Sequence, residues 1–101
     1  MSETGSVQDN LAALNAESKT LRIDGTRRTS VQFSLENGTA PFVGNAQARW
    51  RTNSPKPWKA LPNGDFTGEG VRLADVQGPL ELQFFISAYT SGDADVRIIS
   101  E

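Results

Sequence analysis

Residues 80–100 read LELQFFISAYTSGDADVRIIS, and this stretch decides the fold class of the chain. Apolar side chains recur at every second position in two runs, from Leu80 to Ala88 and from Val96 to Ile98. This period is that of a strand with one face in a core and one face in water. The turn Ser91-Gly92-Asp93 between the runs predicts that the two strands pair as a hairpin.

Four further stretches alternate in the same way between turn residues. They are residues 20–24, 30–36, 46–51 and 71–73. In the third stretch Trp50 faces inward, whereas Arg49 and Arg51 face outward. No helical period follows residue 18, so the sequence predicts an all-β protein, an antiparallel β-sandwich or small jelly roll.

The first part of the chain has a different pattern, which predicts an N-terminal arm at residues 1–18 and a β-sandwich domain at residues 19–101. Val7, Leu11 and Leu14 lie at positions i, i+4 and i+7, a spacing that allows a helix of about two turns, so we expect an extended or short-helical arm. A helix this short needs packing, so we expect the arm to dock on the sandwich or on another molecule. The acid at Glu3 and the lack of an apolar run behind it predict no export signal.

One face of the two final strands carries apolar residues where water is expected. Phe85 and Tyr89 on the first strand and Ile99 on the second fall on the outward side of the alternation. Three such residues on neighbouring strands form a patch. The patch predicts a contact between subunits, or a surface that the N-terminal arm of the same chain covers.

The composition limits the possible chemistry, because the 101 residues include no Cys and no His. Disulfides, thiol nucleophiles, Cys/His zinc sites and proton transfer through imidazole are therefore excluded. Paired carboxylates would suffice for a glycosidase, but the candidate acids lie beside glycine or in predicted turns. These acids are Asp65, Glu69, Asp75, Asp93 and Asp95. We predict no enzyme, no cofactor and no metal, since the Asp93–Asp95 spacing lacks the rest of a calcium loop.

Charge is unevenly distributed along the chain, although the net charge is only -2. Residues 37–64 hold four cationic side chains and no acid, whereas residues 65–101 hold seven acids and two cations. The basic segment contains Trp58, which either covers one end of the core or binds a partner. Single-stranded nucleic acid could use this segment, but the acidic remainder argues against it. The pattern suits contact between copies, or with a partner of patterned charge.

Four stretches carry a resemblance to a known group of proteins. They are SVQFSL at 30–35, RWR at 49–51, PWKALP at 57–62 and LQFFISAYTSGDADVRI at 82–98. In this order they resemble the small β-sandwich modules of tailed-bacteriophage virion proteins, in which a W-x-x-L hairpin precedes the closing pair of strands. The chain departs from that pattern because it lacks the Ser-x-Asp-Gly turn that often precedes the tryptophan.

The resemblance implies a non-enzymatic capsid decoration protein that binds the outer surface of a phage capsid. Its partners would be the major capsid protein or another virion protein and copies of itself, as a homotrimer, with assembly in the cytoplasm of the host bacterium. Neither nucleic acid nor a membrane is expected as a partner. We expect the partner interface at Val7, Leu11, Leu14, Arg49, Arg51, Trp58, Phe85, Tyr89 and Ile99. The alternative is a carbohydrate- or receptor-binding module of a tail or fibre, because the rings of Trp58 and Tyr89 could stack on sugars.

Overall fold

The structure is a computed structural model that describes residues 5–53 and 56–100. The first four residues of the predicted arm, residues 54 and 55, and the last residue of the predicted domain lie outside this part. The described residues form eight strands: β1 (Gly5–Leu11), β2 (Leu21–Ile23), β3 (Arg28–Asn37), β4 (Val43–Arg51), β5 (Lys59–Phe66), β6 (Gly70–Gln77), β7 (Leu80–Ser91) and β8 (Ala94–Ser100). None of the described residues belongs to a helix long and apolar enough to span a membrane.

The strands form two four-stranded antiparallel sheets that pack face to face. Sheet A has the order β1-β8-β3-β6, and sheet B has the order β2-β7-β4-β5. The chain changes sheet at every connection between strands except the one from β4 to β5. Two four-stranded sheets with these strand orders and these crossings form a jelly roll. The predicted fold class is therefore confirmed.

Both sheets bury alternate side chains in one shared core. The predicted inward residues that are buried are Leu21, Ile23, Val31, Phe33, Leu35, Ala48, Leu80, Leu82, Phe84, Ile86, Val96 and Ile98. Phe84 of β7 lies at the centre, with its ring centroid 5.8 Å from that of Phe33 and 5.4 Å from that of Phe66. Both contacts are edge-to-face, the arrangement that the charge distribution of aromatic rings favours. Phe84 thus joins sheet B to sheet A.

The predicted hairpin of the last two strands is wrong. β7 pairs with β2 and β4 in sheet B, whereas β8 pairs with β1 and β3 in sheet A. The turn between them contains Gly92, whose φ of 81° lies in the left-handed region that glycine adopts readily. This turn carries the chain across the sandwich to the other sheet. The alternation of β7 and β8 is unchanged, because both strands point their inward residues into the same core.

Of the two forms expected for the N-terminal arm, the short helix is wrong, because Gly5–Leu11 is an extended edge strand paired with β8. A turn at residues 13–15, with φ of 65° at Asn15, then leads the chain to sheet B. There the backbone N–H groups of Asn15 and Ser18 donate to the carbonyls of Ile86 and Phe84 in β7. Val7 and Leu11 are four residues apart, a spacing that fits period two as well as a helical turn. Residues 5–18 therefore complete both sheets of the chain's own sandwich.

One strand has no counterpart in the sequence prediction. β5 (Lys59–Phe66) contains Pro62, which cannot donate a hydrogen bond to a neighbouring strand. Its register with β4 shifts between Gln47 and Arg49, so several residues of β5 bulge out of the ladder. Because β5 is the edge strand of sheet B, this interruption is tolerated.

Candidate functional site

The three outward apolar residues of the final strands do not form one patch. Phe85 lies on the outer face of sheet B, whereas Ile99 lies on the outer face of sheet A. The two faces are on opposite sides of the sandwich. The prediction of a shared face is therefore wrong, for the same reason as the predicted hairpin.

Tyr89 is turned toward the core, although the alternation predicts it outside. The register between β4 and β7 shifts at Asn45, so the predicted inward residue Ala88 is exposed and Tyr89 packs against the core. The Tyr89 hydroxyl donates to the carbonyl oxygen of Gly92 at 2.9 Å. Its ring centroid lies 6.5 Å from that of Phe42. Because the Tyr89 ring packs against the core, it is not available as the second ring of the predicted carbohydrate site.

The predicted interface residues of the N-terminal arm have three different environments. Leu11 is buried in the core of its own chain with 4% of its surface exposed, and Val7 is half-buried against that core. Of the three, only Leu14 has a largely exposed side chain, at 56%. The expectation that Leu11 binds another molecule is wrong, because β1 is an integral strand.

Four predicted residues do meet on the outer face of sheet B. They form what we call the arginine ladder, namely Phe85, Arg49, Trp58 and Arg51. The guanidinium carbon of Arg49 lies 4.1 Å from the ring centroid of Phe85 and 5.0 Å from that of Trp58. That of Arg51 lies 4.2 Å from the Trp58 centroid. Trp58 therefore covers two arginines and not one end of the core, whereas its alternative role, the binding of a partner, stays a prediction. The positive charges face the negative surface of the ring.

Polar neighbours hold the arginine ladder in place. Arg49 forms an ion pair with Glu17 and donates two hydrogen bonds to the side-chain oxygen of Gln83, at 2.9 and 2.7 Å. Arg51 donates from Nε to Glu81 at 2.6 Å. Burial lowers the pKa of Arg49 below its ordinary value, and the nearby Glu17 charge acts in the opposite direction. Both guanidinium groups are thus committed to partners within the chain.

The outer face of sheet A carries an apolar surface that sequence reasoning missed. Leu73 and Val71 on the edge strand β6 are 74% and 54% exposed. Leu73 lies opposite Gln32, which in turn lies opposite Ile99 on β8. We call Val71, Leu73 and Ile99 the aliphatic patch. One signal in the sequence could have revealed this surface. Val71, Leu73 and Asp75 are at alternate positions of one strand, so they lie on the same face, and the charge of Asp75 indicates that this face is in water.

Polar side chains of β3 lie between the members of the aliphatic patch. Ser30 and Gln32 line a depression of about 270 Å³ together with Leu73 and Ile99. Ser34 lies opposite Val71. Two exposed charged residues flank the patch on the same face, Asp75 beyond Leu73 on β6 and Arg97 before Ile99 on β8. A partner that covers the patch alone buries aliphatic groups and uncharged polar side chains and leaves both charges in water.

Asp93 has a structural role at the end of the sandwich. Its carboxylate accepts hydrogen bonds from the backbone N–H groups of Thr39 and Ala40, at 2.9 and 2.8 Å, and from the side-chain amide of Asn10 at 2.7 Å. These donors, with Ala40 first, lower the pKa of Asp93 to about 2. Asn10 also donates to Asp95. N–H groups therefore point at the space where a calcium ion would bind, which does not fit a cation site.

Two acids share one depression elsewhere on sheet A. Glu36 and Asp95 lie opposite each other on β3 and β8 and line a space of about 60 Å³ with Arg97. This volume holds a few water molecules and is well below that of usual ligand sites, roughly 300–1,000 Å³. Within the part of the chain that the structure describes, no group of three or more acids is arranged to hold a metal ion.

The chain matches no protein-family model and no curated protein. Function must therefore be argued from the two outer faces of the sandwich and from the resemblance of its motifs.

Proposed function

We propose that this chain is a non-enzymatic structural protein of a tailed bacteriophage, which binds the outer surface of the capsid and stabilises it. The observation that supports this proposal is the aliphatic patch on the outer face of sheet A. The partner would be the major capsid protein or another virion protein. The bacteriophage part of the proposal is based on the sequence resemblance of residues 30–35, 49–51, 57–62 and 82–98. The proposed contact with the capsid is based on the aliphatic patch.

The aliphatic patch has the properties of a protein-binding surface. Among the large apolar residues that the structure describes, Leu73 is the most exposed, at 74%, and it lies in the middle of an edge strand. Full burial of a leucine side chain contributes about 1.5–3 kcal/mol. Clustered aliphatic groups on a flat face of this kind mark sites of protein association.

The attachment surface in this proposal differs from the predicted arm. Val7 and Leu11 stabilise the sandwich from within, so they are not available to a shell protein. The flat face of sheet A takes over this role. Modest affinity per copy is sufficient, because copies arranged as a homotrimer on a symmetric shell would bind with combined strength.

The test compares two leucines that are both exposed. Leu73→Asp places a charge in the aliphatic patch, and Leu14→Asp places the same charge on an exposed leucine outside it. Co-sedimentation with capsids of the phage whose genome encodes the chain measures binding. We expect Leu73→Asp to weaken binding about 10- to 100-fold, as the loss of one buried leucine implies, and Leu14→Asp to bind like the unmodified protein.

Two results would overturn the proposal. One is full binding by Leu73→Asp, which would exclude the aliphatic patch. The other is that the unmodified chain binds no capsid and is missing from purified virions by mass spectrometry. Sedimentation equilibrium at micromolar concentration tests the homotrimer separately, since a monomer would contradict that part of the proposal.

A further inference from the structure

A groove lies where β4 ends and β5 begins, away from the aliphatic patch. It encloses about 260 Å³ and is lined by Trp50, Arg51, Thr52, Lys56, Pro57 and Lys59. Trp50 is half-buried against the core and provides a rigid wall. Three of the six lining residues are cationic, and none is acidic.

The two lysines supply positive charge that the chain itself does not neutralise. Arg51 is paired with Glu81, whose second oxygen also contacts Arg22. Lys56 and Lys59 are exposed, and no acid in residues 5–53 and 56–100 lies within ion-pair distance of either. The ammonium group of Lys59 lies 5.4 Å from the ring centroid of Trp50, which holds it beside the groove.

We infer that this groove binds the carboxylates of an acidic segment of another protein. Two adjacent ammonium groups and an aromatic wall form a site for a short acidic stretch, because each lysine can donate to one carboxylate. The volume is close to the lower end of ligand sites, which suits two side chains better than a large molecule. The Glu81 carboxylate does not neutralise the two lysines, because it already forms ion pairs with Arg22 and Arg51.

Single-stranded nucleic acid fits the same groove less well. Proteins that bind it present aromatic faces on which successive bases stack. Here Lys59 lies over the Trp50 ring, and Trp58 is stacked on Arg49 and Arg51. A peptide that binds through its carboxylates needs only the two ammonium groups and no free aromatic face.

The inference goes beyond the proposed function, because it assigns a second binding surface that does not use the aliphatic patch. A chain that fails to bind capsids could still bind an acidic peptide through the groove. The two proposals therefore fail separately.

The test uses a fluorescein-labelled hexaglutamate peptide and fluorescence anisotropy with the full chain. The groove variant is Lys56→Gln/Lys59→Gln, and the matched control is Lys19→Gln/Arg28→Gln, which removes the same charge from exposed positions elsewhere. We expect the groove variant to raise Kd at least about tenfold and the control to change it less than about twofold. Binding should weaken as salt rises from about 50 mM to about 300 mM, since exposed charges are screened.

Three outcomes would overturn the inference. Equal losses in the groove variant and the control would show that only net charge matters. Tighter binding of a six-residue oligothymidylate than of hexaglutamate would assign the groove to nucleic acid. No measurable binding of hexaglutamate at the lower salt concentration would exclude an acidic partner. Thermal unfolding followed by circular dichroism verifies that both variants are folded.

Discussion

Replacement of Gly92 by alanine should strongly destabilise the sandwich. Gly92 has a φ of 81°, and a Cβ there would lie 1.8 Å from the carbonyl oxygen of Pro41 and 2.9 Å from the Cα of Phe42. The atoms it meets belong to the backbone of the β3–β4 connection, which cannot rotate away as a side chain could. Two chain crossings between the sheets touch at this point.

The expected loss can be estimated from two terms. An alanine in the left-handed region costs about 1–2 kcal/mol. An added carbon against packed backbone costs about 1–3 kcal/mol more. Together these terms lower the free energy of unfolding by about 2–5 kcal/mol, which is a large part of the usual total of about 5–15 kcal/mol.

Urea unfolding, followed by the fluorescence of Trp50 and Trp58, measures this loss. With an m-value of about 2 kcal/mol/M, the midpoint should fall by about 1–2.5 M. Gly68→Ala is the matched control, because a Cβ at Gly68 meets nothing within 4 Å. A Gly92→Ala midpoint equal to that of Gly68→Ala would refute the argument that this turn requires glycine.

Two further predictions concern Asp93 and Trp58. Hydrogen bonds lower the pKa of Asp93 from its ordinary 3.8 to about 2, so its carboxylate stabilises the fold fully above about pH 4. This contribution is lost as the pH falls from about 4 to about 2. Asp93→Asn should be less stable at pH 7, and its free energy of unfolding should fall less between about pH 4 and about pH 2, as urea titrations at several pH values would show. An unchanged pH profile would contradict the assignment. Trp58→Ala should cost about 1–2 kcal/mol of unfolding free energy, because the ring stacks on Arg49 and Arg51 outside the core. A loss of about 3–5 kcal/mol in thermal denaturation, as for a buried ring, would restore the interpretation of Trp58 as a cover of the core.

The candidate surfaces show where sequence reasoning succeeds and where it stops. The alternation around Arg49, Trp50 and Arg51 correctly predicts which side of β4 each residue occupies, and hence that both arginines share a face. Sequence alone does not bring Trp58 onto that face, because the connection from Arg51 to Lys59 has no period from which a direction follows. Val71 and Leu73 were missed because two apolar side chains favour a buried face, and only Asp75, two residues beyond Leu73, indicates that this side of β6 faces water.

The N-terminal segment shows a second limit. Val7 and Leu11 alone are too few to distinguish a helix from a strand, because their spacing of four residues fits both periods. The free backbone groups of β8 decide between the two, since they pair with Gly5–Leu11 along seven positions. That partner is more than eighty residues away in the chain and is invisible to local patterns.

The sequence by itself determined that this protein is a β-sandwich and which side chains of its central strands are buried, because period two places alternate residues on opposite faces of any strand. It could not determine which strands share a sheet. In a sandwich both sheets point their apolar residues into one core, so β7 and β8 would show the same alternation as a hairpin or across the two sheets. Only the tertiary structure separates Phe85 from Ile99, because the Gly92 turn carries the chain to the other sheet, and only the pairing of β6 and β8 with β3 places Leu73 and Ile99 on one face, on either side of Gln32.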